Sequence, residues 1–248
     1  MNKALKSVLI GLGILIAVLV IAMGGFYFKM KSELKKLTVI NTKEVVQNIY
    51  SVKDNFVNMF LIRDSDNYVA IDVGANIKTI ENQLDTLGIN PEDVTVVMLT
   101  HTDGDHVAAL PLFKNAKVYL SKDEEQMING KIAKMMNFHN KISTTNYNLL
   151  DDQQTITVGN LRIKGIATPG HTPGSMSYLV NDKYLFVGDA FGIKNGKIEK
   201  PNSFFSKDMK TAIKTIDKIN NLPEAEYIFT AHTGYSDNYR NAVKTELK

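Results

Sequence analysis

The sequence has no cysteine among its 248 residues. This absence excludes disulfide bridges, thiolate metal ligands and a cysteine nucleophile, so any metal ion must be held by nitrogen and oxygen donors. The net charge is only +3 and the basic residues are spread along the chain, which gives no indication of a nucleic-acid surface. There is no internal repeat and no low-complexity segment. With 44% hydrophobic residues, the length predicts one sizeable domain with an appendage.

The appendage is predicted at the start of the chain, where Val8 to Phe28 is uncharged and almost wholly apolar. At about 1.5 Å per helical residue, this run can cross a hydrocarbon core of roughly 30 Å. Two interpretations compete: an uncleaved membrane anchor, which the length favours, and a signal peptide cleaved near Ala22-Met23-Gly24. We therefore predict an anchor or signal over residues 1–28, a basic juxtamembrane linker over 29–38 and a folded domain over 39–248.

The orientation of this anchor depends on the lysines that flank it. Lys3 and Lys6 precede the apolar run, and Lys29, Lys31 and further lysines follow it, so the positive-inside rule is nearly balanced. The very short, basic amino tail resembles the start of a signal anchor. We predict a single-pass protein of the cell membrane with its domain outside the cytoplasm. The sequence leaves the oligomeric state open.

The remaining chain alternates strand-like and helix-like segments. Ile77 to Leu87 has the apolar spacing of a helix that ends at Gly88. Ser121, with Glu124 three residues on, predicts a capped helix that runs to Met127 or beyond, with Lys131 to Met136 as its continuation. The run 227–230 is predicted to be the last strand.

Four of the short apolar runs end in residues that bind metals. His101-Thr102-Asp103-Gly104-Asp105-His106 follows the run 94–99, His171 follows 161–168, Asp189 follows 185–188, and His232 follows 227–231. Each run is typical of a buried strand in an α/β sheet. Open α/β sheets place their sites at the carboxyl ends of strands, so these dispersed side chains are predicted to meet in one crevice.

Each piece alone has a simpler interpretation. The segment from His101 to His106 resembles a solvated turn, and Asp189 resembles a helix cap. The simpler interpretation weakens because His171, Asp189 and His232 occupy equivalent positions after their strands. Imidazole and carboxylate groups suit zinc, iron and manganese.

Together these motifs resemble the metallo-β-lactamase superfamily, over nearly the whole of the chain from Val39 to Leu247. The resemblance rests on the HxDxDH sequence, GHTPGS around the second histidine, the GD pair and the final histidine. It implies an α/β fold in four layers, an αβ/βα sandwich of two mixed β-sheets flanked by helices, to which the transmembrane helix is added. It also implies two divalent metal ions, with zinc favoured and iron or manganese as alternatives.

The resemblance further implies a role for each residue. The first metal site would use His101, Asp103 and His171, the second would use Asp105, His106 and His232, and Asp189 would bridge both. Asp105 would also act in catalysis, by orienting the nucleophile and passing a proton to the leaving group. Asp72, in the Asp-x-Gly that ends the opening hairpin, would brace the metal-binding loop from behind.

Asp103 departs from the family's HxHxDH motif, in which a histidine occupies this position. A carboxylate there makes the first site harder and more anionic, which weakens the preference for zinc over iron or manganese. The sequence leaves open whether Asp103 binds metal or leaves the first site weak.

Two further residues are candidates for contact with a substrate. His139 is predicted to lie on a flap over the pocket, with Met127, Met135, Met136 and Phe138 as an apolar wall, although an ordinary loop histidine is the simpler interpretation. Tyr235 follows His232 closely enough to reach the site, and a packed aromatic is the alternative.

The resemblance implies a hydrolase in which a metal-bound hydroxide cleaves an ester, thioester, lactone or related bond of a small molecule. Asp189 argues against a β-lactam, because the true β-lactamases of the superfamily lack this bridging carboxylate. Alternatives are an extracellular nuclease or phosphodiesterase, suggested by the HxDxDH sequence, a non-catalytic metal-binding membrane module, and a di-iron redox enzyme. A small-molecule substrate is favoured over nucleic acid.

Overall fold

The structure is a computed structural model that describes residues 2–134, 137–222 and 225–244. The chain divides into two compact units, Met1–Leu37 and Thr38–Lys248. In the first unit, helix α1 spans Lys3–Leu34, and the Asn2 side chain caps it by accepting a hydrogen bond from the amide of Ala4. This helix is long and apolar enough to cross a membrane, a property that a signal segment near the amino terminus shares. It also continues beyond the predicted span, through the first part of the predicted linker.

The second unit contains fifteen strands among the described residues. They are β1 Lys43–Val46, β2 Ile49–Asp54, β3 Val57–Asp64, β4 Asn67–Ile71, β5 Val94–Met98, β6 Lys117–Ser121, β7 Tyr147–Leu150, β8 Thr155–Val158, β9 Leu161–Ala167, β10 Met176–Val180, β11 Tyr184–Phe186, β12 Gly192–Lys194, β13 Lys197–Glu199, β14 Tyr227–Thr230 and β15 Gly234–Ser236. The helices of this unit are α2 Ile77–Leu87, α3 Gly104–Val107, α4 Glu125–Ile128, α5 Met209–Asn220 and α6 Tyr239–Val243.

The strands form two mixed sheets. The first has the order β1-β2-β3-β4-β5-β6-β7, antiparallel from β1 to β4 and parallel from β4 to β7. The second has the order β15-β14-β11-β10-β9-β8, and only its β11–β14 pair is parallel. Strands β12 and β13 form a separate hairpin around Asn195-Gly196, as the Asn-Gly pair predicts.

The two sheets pack face to face. In β3, Phe60 and Ile62 belong to the apolar cluster between the sheets, whereas Met59 and Leu61 belong to the cluster on the outer face, as the two-residue period of a strand requires. The Phe60 ring lies 5.4 Å from that of Phe186, on a strand of the second sheet. A core cluster thus lies between the sheets.

Helices cover the two outer faces. Helix α2 places Ile80 and Leu84 in the cluster outside the first sheet, and α5 places Ile216 and Ile219 outside the second. The predicted four-layer αβ/βα fold is confirmed. The α2 prediction is also correct to the residue, because Gly88 ends the helix in a left-handed conformation with φ 66°.

Two local predictions were wrong. Residues 131–134 do not continue the helix expected after Ser121; α4 is only one turn long and ends at Ile128. The continuation through Met135 and Met136 lies outside the described residues. Tyr227–Thr230 is not the last strand either, because β15 follows the loop that contains His232. The three-residue strand Gly234–Ser236 is too short to produce a recognisable pattern.

Candidate metal centre

The seven predicted metal-binding residues lie in loops that follow strands. His101 follows β5 through Leu99 and Thr100, and the turn of α3 then carries Asp105 and His106. His171, Asp189 and His232 follow β9, β11 and β14. The structure brings all seven predicted metal-binding residues into one cluster at this edge of the two sheets, the residues being His101, Asp103, Asp105, His106, His171, Asp189 and His232.

One part of the cluster consists of His101, Asp103 and His171. The Oδ2 atom of Asp103 lies 2.9 Å from Nε2 of His171 and 3.6 Å from Nε2 of His101. Both imidazoles are buried, and the Asp103 side chain is 14% exposed. One nitrogen or oxygen atom from each residue could therefore contact a common ion.

The other part consists of Asp105, His106 and His232. Oδ2 of Asp105 lies 3.7 Å from Nε2 of His106 and 3.5 Å from Nε2 of His232. The Asp105 side chain is 25% exposed, which is the largest value among the seven residues. This carboxylate is therefore the one most open to a molecule entering from solvent.

Asp189 lies between the two parts. Its Oδ1 atom is 3.4 Å from Nε2 of His106 and 3.2 Å from Nε2 of His232, and its Oδ2 atom is 3.6 Å from Nε2 of His171. The two oxygens of one carboxylate thus face different sets of histidines. This geometry differs from a helix cap, in which the carboxylate accepts from backbone amides at the start of a helix.

The far ring nitrogens of three histidines are held by the protein. Nδ1 of His232 donates to the Phe56 carbonyl at 2.6 Å, and Nδ1 of His106 lies 2.8 Å from Asp72. Nδ1 of His101 lies 3.0 Å from the hydroxyl of Thr100. Such partners fix the ring orientation and direct each Nε2 into the cluster, as they do behind metal-binding histidines.

Asp72 holds the loop that carries His101 and His106. Besides contacting His106, its carboxylate accepts hydrogen bonds from the Thr100 amide and the Thr100 hydroxyl, both at 2.8 Å. Its own backbone is left-handed, with φ 55°. Aspartate tolerates this conformation better than most residues, and such strain concentrates at functional sites.

The electrostatics of the cluster favour bound cations. Burial lowers the pKa of His106, but the carboxylates of Asp72, Asp105 and Asp189 outweigh burial and raise this pKa to about 10. Burial raises the pKa of Asp189, but His232, His106 and His171 hold it well below its ordinary value. The carboxylate therefore stays ionised inside the protein, where positive charge stabilises it.

Several polar atoms of the cluster also lack a hydrogen bond. Nε2 of His101, Nε2 of His106 and Oδ1 of Asp189 are buried without a hydrogen bond to the described part of the chain. Buried polar atoms are nearly always paired, and a metal ion between these atoms would supply the missing partner. The donor set thus fits one or more divalent cations bound by nitrogen and oxygen.

A buried carboxylate lies behind the first part of the cluster. The Ser121 hydroxyl accepts a hydrogen bond from the Glu124 amide, as the predicted cap requires, but the Glu124 side chain makes no capping hydrogen bond at α4. It accepts hydrogen bonds from the amide and hydroxyl of Thr102, at 2.8 and 2.7 Å, and from the hydroxyl of Thr172 at 2.6 Å. Thr102 lies between His101 and Asp103, and Thr172 follows His171, so Glu124 joins the two loops.

Gly174 allows close contact between the loop after His171 and the segment that carries Glu124. A Cβ atom at Gly174 would lie 1.9 Å from the backbone nitrogen of Glu124. The Ser121 hydroxyl donates to the Gly174 carbonyl and accepts from the Glu124 amide. The second glycine of GHTPGS, Gly174, is therefore required for this packing.

The segment after α4 reaches the site through residues that the sequence did not single out. The Lys134 ammonium forms an ion pair with Oδ2 of Asp103 and lies 3.5 Å from Nε2 of His171. The Asn140 amide donates to Oδ1 of Asp103 at 2.9 Å. Lysine and asparagine in an irregular polar segment give no distinctive signal, which is why both were missed.

The residues predicted to form the flap differ in their exposure to solvent. His139 is exposed and its Nδ1 donates to the Ile132 carbonyl, Phe138 is exposed, and Met127 is buried. Met135 and Met136 lie outside the described residues. The role of His139 as a substrate contact stays a prediction.

Tyr235 packs as an aromatic residue of the core. It lies on β15, where its ring stacks on Phe229 at 5.5 Å and contacts the cluster between the sheets. Its contact with a substrate stays a prediction.

Comparisons with known proteins agree with this geometry. The family model described as "Metallo-beta-lactamase superfamily" matches residues 52–232. A "Probable metallo-hydrolase" of Methanocaldococcus jannaschii is 31% identical over 166 residues, covering 65% of this chain and 70% of that protein. A "Probable polyketide biosynthesis zinc-dependent hydrolase" of Bacillus subtilis is 30% identical over 162 residues, covering 63% and 65%.

A solved structure with the same fold is a metallo-beta-lactamase family protein from Thermus thermophilus. Its TM-score is 0.60 at 18% identity, and the match covers 81% of this chain and 78% of that one. At this identity the likeness concerns the fold.

Proposed function

Because this chain belongs to the metallo-β-lactamase superfamily, we propose that it is a metal-dependent hydrolase with two metal sites. The observation that carries the proposal is the position of Asp189, whose two oxygens face His106 and His232 on one side and His171 on the other. A carboxylate in this position can serve two ions at once. The unpartnered Nε2 atoms of His101 and His106 support the same interpretation.

The residues divide between the two sites. The first would be held by His101, Asp103 and His171, the second by Asp105, His106 and His232, and Asp189 would serve both. Bound divalent metals would supply Lewis-acid activation of water and of the bond to be cleaved. Zinc is favoured by the donor set and by the zinc-dependent relative, and the carboxylate at Asp103 keeps iron and manganese as alternatives.

The protein's own groups prepare the site for hydrolysis. Asp105 is the most exposed carboxylate of the cluster, so it would orient the attacking water and pass its proton to the leaving group. Asp72, Thr100 and the Phe56 carbonyl hold three imidazoles in fixed orientations. The proposed substrate is a small molecule with an ester, thioester or lactone bond.

The two-metal assignment predicts a stoichiometry. Full-length protein purified in detergent without chelator should contain between about one and two equivalents of zinc, iron or manganese per chain, because the donors exceed what one ion needs. Elemental analysis by mass spectrometry measures this directly. A folded protein that holds no metal, and binds none when titrated, would contradict the assignment.

The bond type is tested by a panel of model substrates. Metal-loaded protein should hydrolyse at least one ester, thioester or lactone, and chelation should abolish the activity, because the donors of the site would lose their ions. Hydrolysis restricted to a phosphodiester or to single-stranded DNA would favour the nuclease alternative. Metal binding without turnover on any substrate would favour the non-catalytic module.

We also propose that α1 anchors the protein with its domain outside the cytoplasm. The proposal rests on the length of the apolar helix and on the short basic tail before it. Protease added to intact cells after removal of any wall should digest the domain, whereas a cytoplasmic marker protein stays protected. Digestion only after lysis would reverse the orientation, and release of the domain without detergent would indicate a cleaved signal peptide.

A further inference from the structure

The two proposed metal sites differ in what surrounds them. Among the described residues, the ion pairs of Asp105 and Asp189 are formed with histidines. Asp103 is paired in addition with the ammonium group of Lys134. Within the described residues, an ammonium group of the protein therefore lies against the first site and not against the second.

The Lys134 ammonium contacts two residues of the proposed first metal site. Its Nζ contacts Oδ2 of Asp103 and lies 3.5 Å from Nε2 of His171, and these two atoms are 2.9 Å from each other. They are the atoms through which Asp103 and His171 would bind the first metal. The Asn140 amide occupies the other oxygen of Asp103. Both oxygens of this carboxylate thus already have donors from the protein.

Hydrogen bonds hold the segment that carries Lys134 against the rest of the domain. The Lys207 ammonium donates to the carbonyls of Ala133 and Lys134, and the Lys207 amide donates to the carbonyl of His171. The backbone N–H of Asn140 donates to the Met127 carbonyl. These anchors hold Lys134 at the first site, with its side chain 27% exposed. Solvent screens an ammonium in this position only in part.

We propose that Lys134 acts as an internal cation that competes with the first metal, and so makes the two sites unequal. This inference rests on the proposed function. Like charges repel, and a divalent ion held by Asp103 and His171 would have to displace the ammonium or share the carboxylate with it. The second site would fill first, and the first would fill only at higher metal concentration. The Asp103 carboxylate can bind a metal ion, and it can also form an ion pair with the Lys134 ammonium. A neutral histidine at this position could not form that ion pair.

The experiment is equilibrium dialysis of the full-length protein in detergent against graded free zinc, with metal per chain measured by elemental analysis. Wild-type protein should bind its two equivalents in steps separated by at least about tenfold in zinc concentration, the range over which groups next to metal ligands act. Lys134→Met removes the charge and keeps the apolar length, so its first site should bind zinc at least about tenfold more tightly. Lys134→Arg keeps the charge and should keep the separation.

Lys131→Met is the matched control, because Lys131 is an exposed lysine of the same segment. It should reproduce the wild-type curve. Circular dichroism and an unchanged tight equivalent verify that each variant is folded. If Lys134→Met and wild type give the same two steps, or if wild type fills both sites together, the inference is overturned and the two-metal function stands. A folded protein that binds no zinc overturns both.

Discussion

The Asp189→Asn variant should lose metal and hydrolytic activity by roughly 100-fold or more, since even residues behind a metal ligand contribute about 10–100-fold. The substitution keeps the shape of the side chain and removes its charge. Asp189 is the only one of the seven residues proposed to serve both sites, so its loss would weaken both at once. Metal per chain after dialysis and the initial rate on a substrate from the panel measure the effect.

Asp182→Asn is the control for this experiment. Asp182 is a surface aspartate paired with Arg162, and surface pairs contribute about 0–1 kcal/mol, so metal content and rate should stay at the wild-type level. Circular dichroism of both metal-free variants should match that of metal-free wild type. An Asp189→Asn protein with full metal content and full turnover would show that this residue does not bridge.

The second large effect is expected at Glu124. Glu124→Ala should lower the free energy of unfolding by about 2–6 kcal/mol, because the buried amide and hydroxyl of Thr102 lose their acceptor and each unsatisfied group costs about 1–3 kcal/mol. The same change frees the loops that carry His101, Asp103 and His171 from each other. First-site metal affinity should therefore fall by about 10-fold, as for other residues behind metal ligands.

Glu125→Ala is the control for Glu124→Ala. It removes a carboxylate from the neighbouring position without removing the contacts to Thr102 and Thr172. Glu125 is the next residue along the chain and accepts from the Tyr147 hydroxyl, so its loss should cost only about 1 kcal/mol and leave metal binding unchanged. Denaturant unfolding of the metal-free proteins and zinc dialysis provide the two measurements. A Glu124→Ala protein that is less stable but binds zinc normally would show that Glu124 supports the fold alone.

The sequence predicted the fold where a local pattern reflects the environment. Strand β3 alternates between two apolar clusters, and Asn195-Gly196 and Gly88 have the backbone conformations that their residue types favour. The clustering of His101, His171 and Asp189 followed from a general rule about strand ends, together with the family resemblance. These features depend on neighbours in sequence or on the direction of strands.

The remaining contacts depend on partners far away in sequence. Glu124 looked like a helix-capping residue because Ser121 precedes it at the right spacing, but its partners are Thr102 and Thr172 on two other loops. Lys134 resembles any surface lysine until the fold places Asp103 beside it. Neither contact changes the periodicity of the chain, so periodicity could not reveal it.

The division of the donors between the two sheets affects the order of events during synthesis. His101 and His106 follow a strand of the first sheet, whereas His171, Asp189 and His232 follow strands of the second. Four of the seven proposed donors, from His101 to His106, are therefore synthesised before the second sheet begins, and His232 is the last of the seven. Contacts so distant in sequence form slowly. A nascent chain interrupted before β8 would carry only four of the seven proposed donors, so the proposed two-metal centre could not be completed on it.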